Sequence, residues 1–592
     1  MLYKNVESFD TRIYNLKDKL NSYIIRKSGE FFNKASIRRD EINTQADFIK
    51  YKKEVIDKLK KCIGDLPRSE KNLLDAEIVA SKKVDGFRIE NVILKTSEGI
   101  NICGNFYLPD IVSGKIPAIL FQQGNMQGGR CGKVCFDVCC NMARKGNAVF
   151  VVDNIGQGER AIPAEESKMY KNHCIYAGRP LIKFIIYDLM SAIDYLETRC
   201  EIDAERIGVA GFEGAGNIAV FLSIFDKRIK AVAVDSFVAS GSESLYTFKG
   251  FSDSDVIFGA RKKLIDCYDY ISCCCPMEFL ITHPEDSDSI ADLFYRESVE
   301  KLYCKEKYFY RLCGLEDNLK LVKIEKTRNY EDKFGRTVAD FFESVFIKRA
   351  DGEQILPDLS CGMQKGDLAE LKRIYSEKYK TENTFNDIRK NIYNDRKKCA
   401  FSKKLLCTQS SDKVIAESYM WFSQENMPCY GIMFKNKNLQ NKLSGIVICL
   451  WEDGTDKITD HSGKIKEIIS NGKCAFVVDL TAMGKCNPTS QSALKCNADT
   501  LSKMRDELLL LGDSLTAIRL YDIIKVIELL KKEFSATDIK LYTTGKYGVY
   551  VEILKHAGFE VDVENTNPEN NLCFFENDEF ADFCMYGFKN YI

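Results

Sequence analysis

The segment Gly208–Asn217 reads GVAGFEGAGN and begins inside a short, mostly apolar run, RIGVAGF (206–212), that has the look of a buried strand. A strand entering a glycine-dense turn and leaving as a helix usually carries serine at the middle position, as Gly-x-Ser-x-Gly. Small neighbours are needed there because the turn that exposes the nucleophile is strained. Here the middle position is Glu213. The surrounding glycines Gly211, Gly214 and Gly216 are present, so the turn is expected to form with a carboxylate at its tip.

Around this turn, short apolar strands alternate with helical segments. PAILF (117–121), NAVFVVD (147–153), KAVAVDSF (230–237), MEFLIT (277–282) and NLKLVKI (318–324) are the strands. That alternation predicts a mostly parallel sheet with helices on both faces. Ligands on such sheets bind at the carboxyl ends of the strands, which gathers Gln123–Arg130, Asp153–Arg160, Glu213 and Asp286 at one edge. Before the sheet, FRIENVILKTSEGINICGNFYLP (87–109) alternates with a period of two and predicts antiparallel strands. Residues 1–85 have apolar positions at helical spacing among charged ones and are expected to form a helical N-terminal cap.

After residue 348 the pattern breaks into a polar connection, 349–412, and then begins again. GNAVFVVDNIGQGE from Gly146 is echoed by GKCAFVVDLTAMGK from Gly472, and IIYDLMSAIDYL by RLYDIIKVIELL. Asp188 precedes Gly211 by 23 residues, and Asp522 precedes Gly545 by 23. The chain is therefore an internal duplication with a period too long for a solenoid. Its domains are expected at 86–348 and, in shortened form, at 413–592.

With LFQQGNMQGG (120–129), VVDNIGQGER (151–160) and HCIYAGRPLIKFIIYDLMSAIDYL (173–196) leading to the elbow, the chain resembles the acetyl xylan esterase-like branch of the α/β-hydrolase superfamily, including members with tandem domains. The resemblance implies an α/β fold class with two α/β-hydrolase-like domains behind the cap. It also implies a serine at the elbow, an aspartate after a later strand and a histidine near the domain's end. Serine needs a base within hydrogen-bond reach, and the aspartate fixes that base's tautomer. The matching positions depart from this pattern. The serine is Glu213, the aspartate is Asp286 with Asp288 as the alternative, and Asn329 stands where the histidine is expected. No histidine occurs between His283 and His461. Asn125 and Met126 occupy the oxyanion segment, leaving the Gly214 N–H as the expected donor. In the second domain Tyr547 sits at the elbow, and its phenol has an ordinary pKa of about 10, too high for an unassisted nucleophile.

Two readings follow. Four departures together point to a pseudoenzyme, a non-catalytic ligand-binding or assembly protein whose pocket takes a small polar or acylated ligand. The alternative is a carboxylate-based hydrolase, lyase or isomerase that uses Glu213 with Asp286 and either His173 or His283. A carboxylate at the elbow would, however, repel the oxyanion that such a site is built to hold.

The net charge of −1 gives no reason to expect a nucleic-acid partner, and no apolar run approaches the ~18 residues of a membrane span. The start MLYKNVESFD lacks the basic and apolar regions of a secretion signal, so a cytoplasmic location is expected. The 24 cysteines are scattered, which fits reduced thiols better than a disulfide framework. Cys131, Cys135 and Cys139 share helical spacing, and Cys273–Cys275 are consecutive. Neither cluster has the Cys-x-x-Cys or histidine partners of a metal site, so no metal and no cofactor is expected.

Overall fold

A computed structural model describes the chain apart from residues 1, 10, 65, 67–74, 85, 97–100, 111–113, 125, 162–173, 176, 237–240, 242–244, 246–255, 286–289, 328, 348–384, 439–444, 489–499, 567–584 and 586–592. Among the described residues no helix is long and apolar enough to cross a membrane. The chain forms two compact units, one of Glu30–Ser167 and Arg179–Tyr379, the other of Met1–Gly29, Lys168–Gly178 and Lys380–Ile592.

The first unit is built on a nine-stranded sheet. Its strands are β1 (Asp75–Val84), β2 (Phe87–Lys95), β3 (Asn101–Pro109), β4 (Ile116–Gln122), β5 (Ala148–Val152), β6 (Ile202–Gly211), β7 (Ile229–Asp235), β8 (Glu278–Pro284) and β9 (Leu319–Ile324), in the order β1-β2-β3-β5-β4-β6-β7-β8-β9. The first three strands form an antiparallel meander, β3 pairs antiparallel with β5, and every later pairing is parallel. The inner strands β4, β5 and β7 are buried on both faces, which explains their near-continuous apolar runs. A core of Phe121, Phe136, Val151, Phe212, Phe334 and Phe342 fills one side between the sheet and the helices Lys133–Arg144 and Tyr330–Phe346.

The second unit repeats this plan with β10 (Lys404–Ser410), β11 (Val414–Gln424), β12 (Met427–Asn436), β13 (Ile446–Leu450), β14 (Cys474–Asp479), β15 (Ile539–Thr543) and β16 (Val563–Thr566). Their order, β10-β11-β12-β14-β13-β15-β16, matches the first seven strands of the other sheet position for position. The duplication seen as repeated residues is thus a repeated topology.

Two features differ from the sequence-based expectation. The segment 1–85 is divided between the units: Val6 and Leu16 pack with Ile432, Phe434 and Trp451, whereas the helix Gln45–Ile63, capped by the Thr44 side chain, belongs to the first unit. Strand β1 lies where helix was expected, and β10 lies in the expected connection. Both are edge strands, largely exposed on both faces, so neither has a buried side to impose alternation.

One buried carboxylate in each unit ties its loops to the sheet. Asp153, just past β5, accepts the backbone N–H of Arg130 at 3.2 Å and of Glu159 at 3.0 Å, and the Gln123 side-chain amide at 3.3 Å. Asp479, which ends β14, accepts the N–H and hydroxyl of Thr455 at 2.7 and 2.6 Å, and the Lys485 N–H at 2.8 Å. The loops approach so closely that a Cβ on Gly158 would lie 2.2 Å from Asp153 Oδ1, and one on Gly484 2.2 Å from Asp479 Oδ1. Both glycines also have positive φ, +54° and +49°. Gly158→Ala and Gly484→Ala are each expected to lower the unfolding free energy by about 2 kcal/mol or more. Gly463→Ala, at a helical site with open space, should instead stabilise by about 0.5–1 kcal/mol, all three read by chemical denaturation.

Candidate functional site

Strand β6 delivers the elbow. After Gly211, the Phe212 N–H donates to the Gln122 carbonyl at 3.0 Å, and the chain turns through Glu213 at φ +49° before the helix Ala215–Phe225 begins. A left-handed conformation is costly for a residue with a Cβ and persists only where its surroundings enforce it. Here the enforcement is steric. A Cβ on Gly211 would lie 2.3 Å from the Ala215 carbonyl, and one on Gly124 would lie 2.3 Å from the Phe212 carbonyl. The turn is closed by the Gly216 N–H donating to the Glu213 carbonyl at 2.8 Å. The Glu213 side chain is exposed at the tip of this turn.

Behind Glu213 lies Asp235, the last residue of β7 and fully buried. Its Oδ1 accepts the Tyr330 hydroxyl at 2.7 Å and the Thr282 hydroxyl at 2.7 Å. Burial pushes its carboxyl up to about 6 against these hydroxyl donors, and the Glu213 carboxylate adds to the rise. Asp235 and Tyr330 were not singled out by sequence reasoning. The only available signal was position, since an aspartate ends a parallel strand beside the elbow strand and so belongs to the ligand edge.

The remaining candidates fall out as follows. Asn125, His173, Asp286 and Asp288 lie outside the described residues. His283 is buried near the end of β8, and its Nδ1–H donates to the Pro284 carbonyl at 2.8 Å. Burial lowers its pKa, and the charges acting on it most are those of Glu300, Lys323 and Arg296. Asn329 is exposed and immediately precedes the helix Tyr330–Phe346, which carries Tyr330 to Asp235. Met126 is buried, and its N–H donates to the Gln123 carbonyl at 3.3 Å. Gly214 caps the helix that follows the elbow. In the second unit Tyr547 is buried with its hydroxyl 3.4 Å from the Glu452 carbonyl, which it meets as donor.

Beside the elbow, a cavity of about 410 Å³ is lined by Gly124, Met126, Gly128, Cys131, Gln157 and Glu159, among others. Its lining also includes Gly129 and Gly158, from the loops that Asp153 holds. Arg130, fully buried, reaches Glu159 with one nitrogen and lies 3.4 Å from Asp153 with another. Cys103, Asp153 and Glu159 place ligand atoms within 4.8 Å of one another, the one such group among the described residues. The Arg130 guanidinium already bridges the two carboxylates, so a cation entering there would meet a fixed positive charge. Cys135 and Cys139 are buried in the core face of the helix Lys133–Arg144, and all described cysteines are free thiols.

Topology, elbow and cavity define a protein of the α/β-hydrolase type. Within that class the chain is similar to acetyl xylan esterases: residues 39–240 match the family model described as acetyl xylan esterase. Over 185 residues it is 26% identical to the Bacillus subtilis (strain 168) protein YtaP, named as a candidate hydrolase. That match covers 29% of this chain and spans 60% of the relative's length. Among solved structures, Methylesterase BT1017 has a TM-score of 0.43 at 20% identity, covering 54% of this chain and 69% of its own. A glucuronoyl esterase from Solibacter usitatus has a TM-score of 0.37 at 14% identity, with 51% and 94% covered.

The raised carboxyl of Asp235 sets a pH dependence. The folded state holds this proton more tightly than the unfolded chain, whose aspartates titrate near pH 4. Stability from this group is therefore complete below about pH 4 and falls as pH rises through about 6. Asp235→Asn removes the titration. The stability difference between wild type and this variant is expected to shift by about 2 kcal/mol in the variant's favour between pH 4 and 7, measured by denaturant unfolding at each pH.

Proposed function

We propose that this esterase-like α/β-hydrolase homologue has lost hydrolysis by a Ser-His-Asp triad and uses the region around its elbow to bind a small polar or acylated ligand, as a cytoplasmic protein. The observation that carries this reading is the Glu213 carboxylate at the tip of the strained turn, backed by Asp235. A serine in that place would need a base. Among the described residues the carboxyl that feels the Glu213 charge is a second acid, Asp235, which can neither activate a hydroxyl through an imidazole nor tolerate a developing oxyanion. The Met126 N–H is spent on the Gln123 carbonyl, which removes a further donor from the oxyanion segment. The adjoining cavity offers glycine backbone, the Gln157 amide and the Glu159 carboxylate, a lining suited to a hydroxyl-rich ligand.

A second reading is favoured by one observation. Burial pushes the Asp235 carboxyl up to about 6, the range in which a general acid or base works, so Glu213 with Asp235 behind it would suit proton transfer on a bound alcohol or sugar acid.

Turnover of a panel of aryl and sugar acetyl esters separates these readings. Wild type, Glu213→Gln and Glu213→Ser are all expected to stay at the uncatalysed rate, the last because restoring serine restores no base. Turnover in wild type that vanishes in Glu213→Gln would replace the first reading with a carboxylate enzyme. Turnover gained in Glu213→Ser would mean that a working base had survived.

A further inference from the structure

Strand β1 forms the outer edge of the nine-stranded sheet; it pairs with β2, and no described strand pairs with its other side. Residues Asp75 to Val79 are exposed on both faces, and Ile78 and Val79 remain 47% and 38% exposed. Such an edge is a template for another strand unless its chemistry forbids pairing. Lysines and bulges are common means of forbidding it, and β1 has both, so their placement matters.

The strand reads DAEIVASKKV, with Asp75 and Glu77 at one end and Lys82 and Lys83 at the other. A parallel neighbour of the same sequence would set like charges side by side, whereas an antiparallel one sets acids against lysines. The bulge then determines the register. Across β2, Ile78 stands opposite Val92 and Ala80 opposite Asn91, which leaves Val79 as the extra residue. One extra residue reverses the face on which every later side chain stands. Glu77 and Lys82 would lie on opposite faces of a regular strand, and the bulge puts them on the same face. A twofold axis between Val79 and Ala80 therefore sets Glu77 against Lys82 of a second copy, Ile78 against Ser81, and Val79 against Ala80. Each directly opposed pair outside the bulge lies on a common face, as antiparallel pairing requires. The self-complementarity exists because of the bulge.

We propose that β1 is a homodimer interface, at which two copies of this chain pair edge to edge as antiparallel strands and join their sheets. The pairing supplies about ten backbone hydrogen bonds along the strand and two symmetric Glu77–Lys82 contacts. It does not involve Glu213 or the cavity.

The test is a charge exchange in the full-length chain, read by sedimentation velocity and light scattering. Wild type is expected at twice the 67.5-kDa chain mass. Glu77→Lys alone, or Lys82→Glu alone, sets like charges at both contacts and should weaken the dimer about tenfold or more. An equimolar mixture of the two single variants should regain the wild-type dimer, because each then meets its opposite charge at both contacts; regaining it also shows that both variants are folded. A single-chain mass for wild type at every concentration overturns the proposal. So does a dimer that either single variant leaves unchanged, or a mixture no tighter than its components.

Discussion

The loops around the ligand edge are tied to the sheet by a buried carboxylate, Asp153 in the first unit and Asp479 in the second. Each sits just beyond or at the end of a fully buried strand and collects backbone N–H groups from two loops at once. A buried carboxylate is tolerable only with such donors, and burial still raises both groups, Asp479 to about 7. The donors in turn need glycine beside them, because the loops come closer than any side chain allows. Arg160 extends the first network by donating to the Asp153 carbonyl at 3.1 Å and to Asp188 at 2.8 Å. In the second unit Cys486 takes the equivalent place, and Asp522 accepts the Thr481 N–H directly at 2.9 Å. The carboxylate was kept through the duplication while its outer partners changed.

The elbow shows the same separation of frame from chemistry. Everything that enforces the left-handed turn is present, from Gly211 and Gly124 to the Gly216 hydrogen bond, so the backbone still projects one side chain into the ligand edge. What it projects is a carboxylate, and what lies behind is the buried acid Asp235, held by two hydroxyls. A carboxylate where the resemblance implies an alcohol, with a second acid behind it, sets negative charge at the tip of the turn. The match to the acetyl xylan esterase family model extends over residues 39–240 and so includes this elbow.

The sequence by itself determined the parallel strands, the duplication and the elbow. The strands were legible because burial on both faces leaves unbroken apolar runs such as AVFVV and IVICL, and the elbow because only glycine satisfies its close approaches. The tertiary structure alone decided the rest. β1 and β10 carry no periodic signal since, as edge strands, they have no consistently buried face. Val6 and Leu16 enter the core of the second unit, hundreds of residues away in the chain, and no local pattern records such a contact. Asp235 and Tyr330 meet across 95 residues through a 2.7 Å hydrogen bond. Local patterning reports which face of an element is buried; it is the packing of distant elements that sets which polar groups face each other across a site.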